Sequence, residues 1–87
     1  MPLHSDYAAR RRCLLLSLWA AETSTCTLIE LQREMRTTHG LHVSSDLVRG
    51  DLVWLQEQGL ARVRDDVAQL LERGRDVATS AAPWPGA

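Results

Sequence analysis

The sequence predicts a small, mainly helical α+β domain, with three helices around one core, a two-stranded hairpin and a short closing helix. Three observations carry this expectation. Apolar residues recur at helical spacing in three successive stretches, around Leu14 to Trp19, Leu28 to Met35 and Val48 to Leu55. Two alternating runs then flank Asp65-Asp66, as in a hairpin. The chain has 87 residues, 45% hydrophobic and 24% charged, which suits one globular core and leaves no room for two.

Met1 to His4 are expected to be loose, and Ser5 to cap a first helix running to about Ala21. Leu14, Leu15, Leu18 and Trp19 form its expected buried stripe. Arg10, Arg11 and Arg12 cannot all face the core, so part of this run is read as a solvated face, with phosphate contact as its functional alternative. Glu22 to Cys26 form a polar connection, turn-like or briefly extended. Thr27 followed by Glu30 is a capping box opening a second helix, in which Leu28, Leu31 and Met35 face inward. That helix should end near His39, because Gly40 can close it.

The stretch from Val43 to Leu60 organises the rest. Ser44 or Ser45 can accept hydrogen bonds from the first free backbone N–H groups of a third helix (about 45–58), and Gly59 can terminate it. Val48, Leu52 and Leu55 should pack inward, flanked by Leu47, Asp51 and Trp54. Asp46, Arg49, Gly50, Val53, Gln56 and Glu57 face the other way. A two-residue turn at Asp65-Asp66 would pair Ala61 with Leu70, Arg62 with Gln69, Val63 with Ala68 and Arg64 with Val67. Ala61, Val63, Ala68 and Leu70 then form the inner side. A short helix, about Leu71 to Thr79, closes the domain through Leu71 and Val77, with Gly74 keeping it short or bent. The domain is expected over 1–80, with 81–87 a flexible tail in which Trp84 could fold back or meet a second subunit.

Helix, helix, helix, two-stranded wing, helix is the order of a winged helix-turn-helix domain, with a three-helix core, a two-stranded β-wing and a short C-terminal helix. The run Val43-Ser44, Asp46, Val48-Arg49, Asp51-Leu52, Trp54-Leu55, Glu57-Gln58-Gly59-Leu60, followed by Glu72-Arg73-Gly74 and Asp76-Val77-Ala78, resembles small winged-helix proteins of Mu-like phages and prophages. Some members of that group are labelled ArsR-like regulators. The resemblance covers about residues 7 to 80. It implies a DNA-binding, cytoplasmic phage or prophage regulator of transcription. Two positions depart from the pattern: Ser45 stands where arginine is expected, and Gly50 fills the second basic or polar slot of the helix.

On that reading the third helix enters the major groove. Arg49 reads guanine, Ser44 and Ser45 bond phosphates or bases, and Asp46 orients Arg49 or accepts from cytosine, unless its role is only to favour the helix N-terminus. Arg62 and Arg64 reach the adjacent backbone or minor groove from the wing, and Asp46, Gly50 and their neighbours line the contact. All ten basic residues are arginine, yet eleven acidic residues bring the net charge to -1, so any affinity for double-stranded DNA must come from local placement. A homodimer joined through the first helix, the last helix or Trp84 would double the contacts. The alternative is a protein–protein interaction module without DNA binding, favoured by the near-neutral charge, Asp46, Gly50 and Val53.

No catalytic spacing is present, and no enzyme or cofactor is expected. His39, His42 and Cys26 could supply three metal ligands, but the two histidines straddle a helix end, so no metal is expected either. Cys13 and Cys26 read as buried free thiols. No apolar run is longer than that from Cys13 to Leu16, which is too short to span a bilayer, and no signal pattern opens the chain.

Overall fold

Two hydroxyl side chains set where the central helices begin. Thr27 Oγ1 accepts a hydrogen bond from the Glu30 N–H (3.1 Å) while the Glu30 carboxylate accepts one from the Thr27 N–H (2.8 Å), so the expected capping box forms. Ser44 Oγ accepts from the Leu47 N–H at 3.1 Å. The computed structural model describes residues 5–86, and their order is α1 (Ser5–Ala20), β1 (Thr25–Thr27), α2 (Leu28–Thr37), α3 (Ser45–Glu57), β2 (Ala61–Arg64), β3 (Val67–Leu70) and α4 (Glu72–Ala78). The expectations for Met1 to His4 and for a side-chain cap at Ser5 lie outside what is described.

The three long helices meet over one core, with Leu14, Leu15 and Leu18 from α1, Leu28, Leu31 and Met35 from α2, and Val48, Leu52 and Leu55 from α3. Each such side chain contributes about 1.5–3 kcal/mol relative to exposure. Trp19 departs from the expected stripe and is 45% exposed. It stands about 100° round the helix from Leu18, and Ser17 takes the place beside Leu14 and Leu18 instead. The Ser17 hydroxyl lies 3.1 Å from His39 Nε2.

The arginine run is also corrected. Asp51 is only 2% exposed, on the side of α3 that faces α1. Arg10 grips its carboxylate through both Nε and Nη2, the latter at 3.1 Å, and Arg11 Nε donates to Oδ1 at 3.1 Å. Two guanidiniums thus compensate a carboxylate whose burial would otherwise be costly. Arg10 and Arg11 are therefore structural ties, and of the three only Arg12 remains exposed.

The sheet has three strands rather than the two expected, in the order β1-β3-β2, all antiparallel. β1 pairs Thr25, Cys26 and Thr27 with Gln69, Ala68 and Val67. The β2–β3 register is the expected one, from Ala61 opposite Leu70 to Arg64 opposite Val67. Asp65 (φ 53°) and Asp66 (φ 61°) both adopt left-handed backbone in the turn, the geometry whose twist matches a two-residue hairpin. The Leu28 N–H donates to the Asp66 carbonyl at 2.8 Å, tying the turn to the start of α2. On the other edge, Gln56 Oε1 accepts from the Val63 N–H at 2.6 Å.

The glycines that follow α2 and α3 have positive φ, +69° at Gly40 and +75° at Gly59, as a helix C-terminus favours. Gly74 serves a different purpose: a Cβ there would lie 2.1 Å from the Leu60 carbonyl oxygen, so α4 approaches the backbone of Leu60, just before β2, only because the side chain is missing. Part of the segment expected to be a tail makes contacts with the domain. The N–H groups of Ala81 and Ala82 both donate to the Asp76 carbonyl, and the Trp84 ring stacks on Trp54 with centroids 5.7 Å apart. The Arg12 guanidinium lies over Trp84, while that of Arg11 lies between Tyr7 and Trp54. Among the described residues no helix is long and apolar enough to cross a membrane.

Candidate nucleic-acid interface

The inward face of α3 is filled by core, so its opposite face is the one available to a partner. Ser44, Ser45, Asp46, Arg49 and Gly50 occupy the first turns of that helix. The Ser44 Oγ lone pair serves the Leu47 N–H, leaving the hydroxyl hydrogen to donate. Ser45 is half-buried in a shallow cleft it shares with Arg49, Asp66 and Ile29. The Asp46 side chain is almost fully exposed beside the positive end of the helix dipole. Gly50 has open space around its Cα, with nothing within 4 Å of where a Cβ would stand.

Arg49 is the centre of this group. Its Nη1 approaches Asp46 Oδ1 and its Nη2 approaches Asp66 Oδ2, each at 3.4 Å, and its side chain is about half exposed. The first contact is the expected intrahelical one; the second was not foreseen. Asp65-Asp66 can be read from the sequence as a turn, but its approach to α3 depends on the hairpin leaning against α2 through the Leu28 amide. The tip of the hairpin is thus acidic and close to the one guanidinium that α3 presents.

Arg62 and Arg64 stand on the outward face of the sheet, opposite Gln69 and Val67, and both are exposed. The structure therefore brings Ser45, Arg49 and the hairpin turn together and sets Arg62 and Arg64 on an adjoining surface. Arg10 and Arg11 belong to neither group, because Asp51 holds them. The carboxylates of Asp46, Glu57, Asp65 and Asp66 leave this side of the molecule without a continuous positive field.

Other reactive side chains lie apart. Burial pushes the thiols of Cys13 and Cys26 above the usual range, with Glu30 and Glu34 adding to the effect at Cys26, so neither favours the thiolate form. Both cysteines are free, but half-buried rather than buried. His39 faces Ser17, whereas His42 lies exposed near Gln32 and Arg36. Among the described residues no three or more His, Cys, Asp or Glu side chains gather as metal ligands. No family model, curated protein or solved structure matches the chain.

Proposed function

We propose that the chain is a winged helix-turn-helix domain that binds double-stranded DNA, with α3 in the major groove and Arg62 and Arg64 on the phosphate backbone. Its resemblance to small proteins of Mu-like phages suggests a phage or prophage regulator as the setting. The element order and the sheet order β1-β3-β2, with a hairpin beside an exposed helix, support the reading. The observation that carries it is the state of Arg49. Two exposed carboxylates hold it at 3.4 Å, and surface pairs of this kind are worth about 0–1 kcal/mol each, so a phosphate or guanine can replace them cheaply. Arg10 and Arg11 have no such freedom.

With Arg49, Arg62 and Arg64 as the phosphate partners of this face, the logarithm of affinity should fall against the logarithm of salt with a slope of about −3. Titrating duplex DNA into the protein at low and moderate salt, with backbone amide NMR shifts as readout, tests this. Shifts concentrated on Ser44 to Gly50 and on Arg62 and Arg64, fading with salt, are the expected result. No movement of those amides at low salt refutes the reading.

One observation favours a second reading, a protein-binding module. Asp46, exposed Val53 and Glu57 lie along the outer face of α3, and exposed Ile29 shares a cleft with Asp65 and Asp66, surfaces suited to a basic, partly apolar partner. Arg49→Ala and Arg64→Ala separate the two: each should lower the salt slope for DNA by about 1, whereas binding to a basic protein should survive both.

A further inference from the structure

The helix α1 carries an apolar stripe that the fold does not use. Leu16 and Trp19, at i and i+3 on one side of the helix, are 41% and 45% exposed, and Arg12, one turn before Leu16, lies over Trp84 at a groove edge. Beside Leu16 runs an open groove of about 540 Å³, walled by Leu15 and Leu16 on one side and by Val77, Ala82 and Trp84 on the other. The molecule thus places a large exposed indole one helical turn from an apolar groove of its own.

We propose that this face is where a second copy of the chain docks, with the two α1 helices antiparallel. A two-fold axis repeats the same patch on both partners, so a surface with a projecting side chain and an adjacent groove can satisfy itself. The axis passes between Leu16 and Trp19, so Trp19 of each copy lies against Leu16 of the other and enters its groove. Charge agrees with this direction. Arg12 lies one turn before Leu16, and Glu22 stands just beyond the end of α1, so antiparallel docking brings each Glu22 to the partner's Arg12. A parallel arrangement would instead stack Arg12 on Arg12 and Glu22 on Glu22. The proposal stands on α1 and the C-terminal segment alone and does not depend on the DNA reading.

Sedimentation equilibrium of the full chain without nucleic acid, over concentrations up to about 1 mM, tests it. Dimers are expected, and Trp19→Glu should raise the dissociation constant at least tenfold, as for an aromatic anchor, with an unchanged far-ultraviolet circular dichroism spectrum. Arg12→Glu and Glu22→Arg should each weaken the dimer, and the two together should restore it. A monomer throughout the range overturns the proposal. So does a dimer indifferent to Trp19→Glu, and a charge swap that fails to recover what the single changes lose overturns the antiparallel register.

Discussion

Replacing Asp51 by alanine should be among the most damaging single changes on the polar side of this molecule. The carboxylate is 2% exposed and holds Arg10 and Arg11 from a helix about forty residues away in sequence. Removing one member of a buried ion pair costs about 3–5 kcal/mol, because the remaining charge is left without a partner. The two arginine side chains are 16% and 21% exposed, so each can turn partly to water, which places the cost near the lower limit, about 3 kcal/mol. Alanine is the better helix former by roughly 0.5 kcal/mol, leaving a net loss of about 2.5 kcal/mol. The unfolding entropy of about 2.1 cal/mol/K per residue converts this, for 87 residues, into a fall in Tm of about 14 °C. Thermal unfolding followed by circular dichroism reads it directly, and urea unfolding gives an independent value. Leucine at 51 with methionine at both 10 and 11 should recover most of the loss, since an apolar replacement of the whole cluster leaves no charge stranded. A fall of less than about 3 °C for Asp51→Ala would refute the reasoning.

Two glycines in helices should respond in opposite directions. Gly74→Ala puts a Cβ 2.1 Å from the Leu60 carbonyl and should lower stability by about 2 kcal/mol despite its helix propensity, whereas Gly50→Ala meets nothing and should raise it by about 0.5–1 kcal/mol; urea midpoints decide both. Trp84→Ala should cost about 1–2 kcal/mol through the lost stack on Trp54 and the lost cation–π contact with Arg12, with a weaker near-ultraviolet signal. An unchanged signal and Tm would mean that the ring does not pack there. The Thr27 backbone N–H, then its hydroxyl, hold the Glu30 carboxyl below the usual carboxylate range. Its contribution is therefore complete above the unfolded-state value and is lost as the pH falls through the lower folded value. Carboxyl carbon shifts in an acid titration check this, and a midpoint at or above the ordinary glutamate value contradicts it.

What could be read from the sequence was local. Thr27 with Glu30, the inward set of α3 and the hairpin register all follow from spacings of a few residues, and each appears where expected. The features that could not be read join distant parts of the chain. Nothing in the sequence Thr25-Cys26-Thr27 requires a strand, which exists because β3 presents a free edge to it. The role of Arg10 and Arg11 was hidden because their partner lies forty residues away, and Gly74 looked like a weak helix position because the approach of Leu60 is a tertiary fact. At the candidate site, the residues of the first turns of α3 could be named in advance, but the hold of Asp66 on Arg49 could not.

The bond from Gln56 to the Val63 amide bears on what the open side of β2 can pair with. The order β1-β3-β2 leaves β2 with one flank open, and an open strand is a template onto which another extended chain can add. Gln56, reaching from α3, already takes up the Val63 N–H on that flank, and Arg62 and Arg64 bring charge to the same four-residue strand. A side chain from the neighbouring helix thereby covers part of this edge of the sheet, and Gln56→Ala would free the Val63 N–H for another strand.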